Sequence, residues 1–143
     1  MSETIPPVTV ADALPFGATV RGVGIDLCEV PRIAEALKRH GDRFLARLFR
    51  PGEIRRSPSS PVFAEHVAGL FAAKEAAMKA LGTGMRGVAF REIAVTRERG
   101  GPPRLAFFAR ALDRANALHV GAAHVTITHT KSTAAAVVLL LGG

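Results

Sequence analysis

A chain of 143 residues with 48% apolar content is long enough for one domain with one core, and too apolar to remain disordered. Its 19 basic and 12 acidic residues give a formal charge of +7, which favours acidic partners; the absence of tryptophan and tyrosine argues against single-strand nucleic-acid binding by base stacking. One cysteine, Cys28, excludes an internal disulfide and a multi-cysteine zinc site and suits a reducing cytoplasm.

Residues 1–18 hold Pro6, Pro7, Pro15 and Gly17 without a period and read as a loose extension; 19–143 read as the folded domain. No basic stretch followed by an apolar one opens the chain, so no secretory signal is expected. Val20 to Leu27 is the first expected strand. Val23, Ile25 and Leu27 share one face; Gly22, Gly24 and Asp26 share the other. Asp26 then either ends the strand on a face cleared for an approaching group, or caps the next helix.

That helix has Pro31 in its first turn, Val30, Ile33, Ala34 and Leu37 on one side, and Gly41 as its stop. A short helix over Phe44 to Phe49 and a loop over Arg55 to Pro61 follow. A long helix runs from Val62 to Leu81. At about 100° per residue, Phe63, Val67, Leu70, Phe71, Met78 and Leu81 form one apolar arc. Lys74 lies in the middle of the arc, Glu75 at its edge, and Lys79 one turn beyond Glu75. Lys74 either snorkels past its stem or belongs to an anion site. Gly82 is the expected C-cap, and Gly84 keeps the next loop permissive.

Val88 to Thr96 and Arg104 to Phe108 read as strands, Ala109 to Leu118 as a helix, and His124 to Thr130 with Ala134 to Leu141 as a hairpin turning at Lys131-Ser132. The Ala134 to Leu141 run is the longest apolar one and is too short to cross a bilayer. His129 shares a strand face with Val125 and Ile127 and reads first as a hydrogen-bonded core histidine. His40, His66, His119 and His124 lack metal-ligand spacing.

Three stretches in order say more than any one alone. Gly24-Ile25-Asp26-Leu27-Cys28-Glu29-Val30 ends a strand; Ala72-Ala73-Lys74-Glu75-Ala76-Ala77-Met78-Lys79-Ala80-Leu81-Gly82-Thr83-Gly84 ends a helix; His124-Val125-Thr126-Ile127-Thr128-His129-Thr130-Lys131 is a late strand. Over about residues 19 to 141 the chain resembles the holo-acyl-carrier-protein synthases, the small class of 4′-phosphopantetheinyl transferases. The resemblance implies an α+β fold with antiparallel strands packed against a long helix. It also implies Mg²⁺-dependent transfer of phosphopantetheine from coenzyme A to a serine of an acidic apo acyl carrier protein, releasing adenosine 3′,5′-bisphosphate. Asp26 and Glu75 match the family's metal-binding carboxylates, and Glu75 also matches a helper in removing the serine proton. Lys79 matches the lysine near the diphosphate, and Lys74 fits the same anionic site. Gly82, Thr83 and Gly84 match a coenzyme-contacting loop; His129 and Thr130 match a strand end lining the coenzyme pocket.

The family carries an arginine where this chain has Leu70, which leaves one phosphate or carrier contact to Arg55, Arg56 or Arg86. That departure motivates the rival expectation of a non-catalytic coenzyme A or nucleotide-binding module. The resemblance further implies a cytoplasmic homotrimer in fatty acid biosynthesis, with neither nucleic acid nor membrane as partner.

Overall fold

The computed structural model describes residues 17–143, without the side chains of Met85 and Arg86. The extension expected over 1–18 therefore lies, up to residue 16, outside the described residues. Strand β1 (Thr19–Glu29) is followed by helices α1 (Val30–His40) and α2 (Asp42–Leu48), then by the long helix α3 (Phe63–Leu81) and the one-turn α4 (Gly84–Gly87). Next come β2 (Ile93–Arg97), β3 (Pro103–Phe107), α5 (Ala109–Ala117), β4 (Ala122–His129) and β5 (Thr133–Gly142). All pairings are antiparallel: a three-stranded sheet in the order β1-β5-β4, and a separate β2-β3 ribbon. The fold is α+β, as expected.

The alternation of β1 marks two faces, and the glycine face is the inner one. Gly24, Asp26 and Cys28 are buried, whereas Val23, Ile25 and Leu27 are 60%, 60% and 68% exposed. Helix α3 takes the space the glycines clear. A Cβ on Gly22 would lie 2.0 Å from the Ala80 carbonyl oxygen, and one on Gly24 would lie 1.8 Å from that of Ala76. Alanines on the facing side of α3 complete this close approach. As a result α3 is buried on nearly every side, Ala72, Ala73, Ala76 and Ala77 as fully as the apolar arc.

Two local expectations change. Phe90–Glu92 forms a 3₁₀ turn, so β2 starts only at Ile93; the Phe90 ring stacks on Phe71 with centroids 5.1 Å apart. The first strand continues to Glu29, which is the N-cap of α1, so Asp26 is mid-strand and caps nothing. Among the described residues no helix is long and apolar enough to cross a membrane.

Candidate active site

Rows of the three-stranded sheet set out the site. Asp26 pairs across β5 with Ala136, which pairs with Ile127 of β4; in the next row Cys28, Ala134 and His129 line up. Side chains of one row share a face, and here that face lies under α3. Small residues at 134 and 136 keep the middle of the sheet low.

Asp26, 8% exposed, receives Lys79 from α3: Nζ donates to Oδ1 at 2.9 Å and to the Ile25 carbonyl at 3.0 Å. An ammonium has three donors. The third has no partner among the described residues, and the Lys79 side chain is 56% exposed. Asp26 Oδ2 is buried and accepts no hydrogen bond from the described residues. Glu75, one turn before Lys79, has its carboxyl pushed up to about 7, first by burial and then by the neighbouring Asp26 carboxylate.

Two adjoining carboxylates with an orphaned buried oxygen are a donor set for a hard divalent cation. Among the described residues no group of three or more His, Cys, Asp or Glu is placed to hold a metal ion by itself. Mg²⁺ takes one or two protein carboxylates and keeps substrate and water oxygens for the rest, so the pair fits that ion. Burial, with Glu75 and Asp26 adding to it, lifts the Cys28 thiol to about 11. A neutral buried thiol is no nucleophile.

The Glu75 shift has a measurable consequence. Its carboxyl holds a proton more tightly in the folded than in the unfolded chain. The native state therefore loses stability as pH rises from 4.5 to about 7, and keeps that contribution in full only below 4.5. In chelator, Glu75→Gln is expected to melt above the parent at pH 8, with the gap closing towards pH 5. Added Mg²⁺ should raise the parent's melting temperature and not the variant's. A gap independent of pH would contradict the assignment.

Lys74 does not join this site. It is 0% exposed and its ammonium is fully coordinated by Glu53 at 2.9 Å, the Phe90 carbonyl at 3.1 Å and the Ile93 carbonyl at 2.6 Å. It neither snorkels nor reaches a ligand. Burial pulls its ammonium below the usual lysine range, and Glu53 opposes that pull.

Beyond α3's first turns lies a cavity of about 470 Å³ between the loop after α2, the end of β2 and the end of β4. Arg55, Arg56, Arg97, His66 and His129 bring positive or protonatable groups to its wall, over a floor that includes Leu70 and Ile127. Its acids are engaged: Glu53 with Lys74, and Glu65 with His129 Nδ1 at 3.1 Å. The Arg55 backbone N–H donates to His66 Nε2 at 3.2 Å, while the Arg55 side chain donates to the Arg97 carbonyl. Burial, then Arg56, Arg97 and Arg55, push the His66 imidazole below its ordinary value, which keeps it an acceptor. His129 is thus a partly exposed group at the cavity wall, and not the core histidine its strand face suggested. The Thr130 hydroxyl accepts the Thr133 amide at 3.1 Å and so shapes the hairpin turn.

Gly82 caps α3 with φ +73°, and Gly84 has φ +60°. Arg114 of α5 donates to the Leu81 carbonyl at 2.8 Å. Its guanidinium offsets the negative end of the helix dipole beside this turn. Glu53, Glu65, Arg97 and Arg114 carried no motif or period, so sequence patterning had no signal for them. Of Arg86, nothing beyond its backbone is described.

Residues 22–138 match the model of the 4′-phosphopantetheinyl transferase superfamily, and the chain belongs to that family. It is 51% identical over 124 residues to the holo-[acyl-carrier-protein] synthase of Solidesulfovibrio magneticus, covering 86% of this chain and 99% of that one. The synthase of Koribacter versatilis is 48% identical over 122 residues, covering 85% and 98%. Among solved structures, the Bacillus anthracis holo-(acyl-carrier-protein) synthase in complex with coenzyme A (3′,5′-ADP) superposes with a TM-score of 0.70 at 32% identity. That match covers 87% of this chain and 98% of that one.

Proposed function

We propose that this chain is a holo-acyl-carrier-protein synthase: it transfers 4′-phosphopantetheine from coenzyme A to a serine of an apo acyl carrier protein, with Mg²⁺ as cofactor and adenosine 3′,5′-bisphosphate as the other product. The observation that carries the reading is the pair of carboxylates, Asp26 buried and Glu75 half-buried, with Lys79 bound to Asp26 and partly free. The serine oxygen forms a bond to the phosphorus that bears pantetheine, and the bond from that phosphorus to the bridging oxygen breaks. Such a displacement needs positioning and charge neutralisation more than covalent chemistry. Asp26 and Glu75 would hold Mg²⁺, which supplies charge neutralisation at the diphosphate. Lys79 turns its remaining donor to the leaving phosphate. Glu75 receives the serine proton.

The coenzyme's other contacts come from the Gly82-Thr83-Gly84 turn and from the cavity holding His129, with Thr130 shaping the strand end beside it. Arg55, Arg56 and Arg97 share that cavity with Leu70 and supply the cationic charge that an arginine at 70 would bring. Arg32, Lys38, Arg39, Arg43 and Arg47 are exposed along α1 and α2 and suit an acidic carrier. The outward face of the main sheet, with Val23, Ile25, Leu27 and Val137 exposed, is a contiguous apolar patch that a homotrimer would cover. We assign the transferase domain to residues 19–143 and its place of work to the cytoplasm.

The test is intact-protein mass spectrometry of apo acyl carrier protein after incubation with coenzyme A, Mg²⁺ and this chain. The expected result is a gain of one phosphopantetheine, lost in chelator. Native mass of the same sample reads the assembly. Coenzyme A binding by calorimetry without a mass gain on several carriers would overturn the reading in favour of a non-catalytic coenzyme-binding module.

A further inference from the structure

Among the described residues, the buried pair of Lys74 and Glu53 is the one strongly polar cluster in the core that the reaction does not use. Lys74 Nζ donates to Glu53 and to the Phe90 and Ile93 carbonyls, while Glu53 accepts the Val95 amide at 2.7 Å and the Arg50 amide at 2.6 Å. Every donor of the ammonium and both carboxylate oxygens are engaged. One side chain of α3 thus ties the helix to both the loop after α2 and the β2 end. The next residue, Glu75, belongs to the other side of the helix, about 100° round, where Asp26 lies on β1.

Two kinds of fully buried contact therefore hold α3, beside the partly exposed bonds of Lys79, Glu65 and the Leu81 carbonyl. The glycine–alanine track against β1 sets how close the helix comes, but small side chains form no ridge that resists rotation or sliding. Hydrophobic burial is non-directional. The hydrogen bonds of Lys74 are directional and fix rotation and axial position together. A buried ion pair is weak evidence for stability, since an apolar pair of similar volume often serves as well. Its role here is to be sought in geometry.

We propose that the Lys74–Glu53 pair is a positioning device that locks the rotation of α3, so that Glu75 meets Asp26 at the separation a divalent cation requires. This rests on the reading of Asp26 and Glu75 as the metal-holding pair. Two carboxylates this close repel each other when both are ionised and no cation lies between them. A helix free to rotate would relieve that repulsion by moving Glu75 away, and binding would then have to reverse the movement.

The experiment is a Mn²⁺ titration, read by electron paramagnetic resonance on the free chain. It compares the parent, Asp26→Asn, the apolar replacement Lys74→Met/Glu53→Met, and the conservative Glu53→Gln. The parent is expected to bind, and Asp26→Asn to lose binding. The double variant orphans the Phe90 and Ile93 carbonyls and the Arg50 and Val95 amides and is expected to melt about 10 °C below the parent; its folded form is expected to bind Mn²⁺ about tenfold more weakly, as loss of a ligand-orienting partner does. Its transfer rate should recover at high Mg²⁺, separating metal affinity from turnover. A folded double variant with the parent's Mn²⁺ affinity overturns the proposal. If the double variant fails to fold, Glu53→Gln decides: tenfold weaker binding supports the device, and unchanged binding overturns it. A parent that binds no Mn²⁺, or binds it unchanged in Asp26→Asn, overturns the metal reading and this proposal with it.

Discussion

Asp26→Asn is expected to lower the rate of phosphopantetheine transfer about a thousandfold at saturating coenzyme A and carrier, with the fold intact. The substitution keeps the shape of the side chain and its place on β1. It removes the charge that holds Lys79 Nζ at 2.9 Å and halves the carboxylate pair. Charge neutralisation at a diphosphate is worth several kcal/mol, and each 1.36 kcal/mol is a factor of about ten in rate. The fold survives because Lys79 is 56% exposed and its pair with Asp26 adds little to stability. Removing one of two repelling carboxylates further offsets that loss. Steady-state transfer by mass spectrometry, beside a melting curve, checks both halves. A folded variant that keeps the parent's rate would remove Asp26 from the metal site.

Gly24→Ala is expected to damage stability and catalysis together. The new Cβ would lie 1.8 Å from the Ala76 carbonyl oxygen, 2.8 Å from its carbon and 2.8 Å from the Ala80 nitrogen. All three are backbone atoms of α3, so no side chain can rotate aside. Restoring ordinary contact requires the helix to lift by on the order of 1.5 Å. Overpacking of that kind costs about 3 kcal/mol, near 10 °C in melting temperature for a domain of this size. Because Ala76 follows Glu75 and Ala80 follows Lys79, the lift carries both away from Asp26. A displacement near 1 Å costs about a hundredfold in rate, so the folded fraction should lose activity as well. Gly69→Ala is the milder comparison: its Cβ meets one side-chain atom, the Ile127 Cγ2 at 2.9 Å, and no backbone. A Gly24→Ala chain that melts and turns over like Gly69→Ala would show that the close approach is not needed.

Asp26, Glu75 and Lys79 were legible as candidates because a strand and a helix carry them in the order that the family resemblance implies. The architecture followed for the same reason: periodicity named the elements. What periodicity could not name was the inside of β1. Alternation separates Val23, Ile25 and Leu27 from Gly22, Gly24 and Asp26, yet the face richer in apolar atoms turned outward. A helix packed on glycines gains its contact from backbone proximity, which hydropathy does not register. Lys74 was misplaced for a related reason. A lysine in an apolar arc says that something must answer its charge, but the answer, Glu53, comes from a loop without a period and 21 residues away. The cavity's Arg97 and the capping Arg114 stand close to their partners only after long-range pairing, and no local pattern precedes them.

The pairing of β1 with β5 joins Thr19 to Gly142, nearly the whole described length of the chain apart. A polypeptide made from its N-terminus cannot close this sheet until residue 142 has left the ribosome. α1, α2 and α3 can gather earlier, α3 against β1, but β1 then has no strand partner, and Asp26 has no sheet to fix it under Glu75. Closing so long a loop is also the slow kind of folding event, governed by contacts distant in sequence. The site is thus completed late in synthesis: a chain interrupted between α3 and β5 carries both carboxylates and the helix that packs on β1, but lacks the strand that holds β1 in a sheet beneath it.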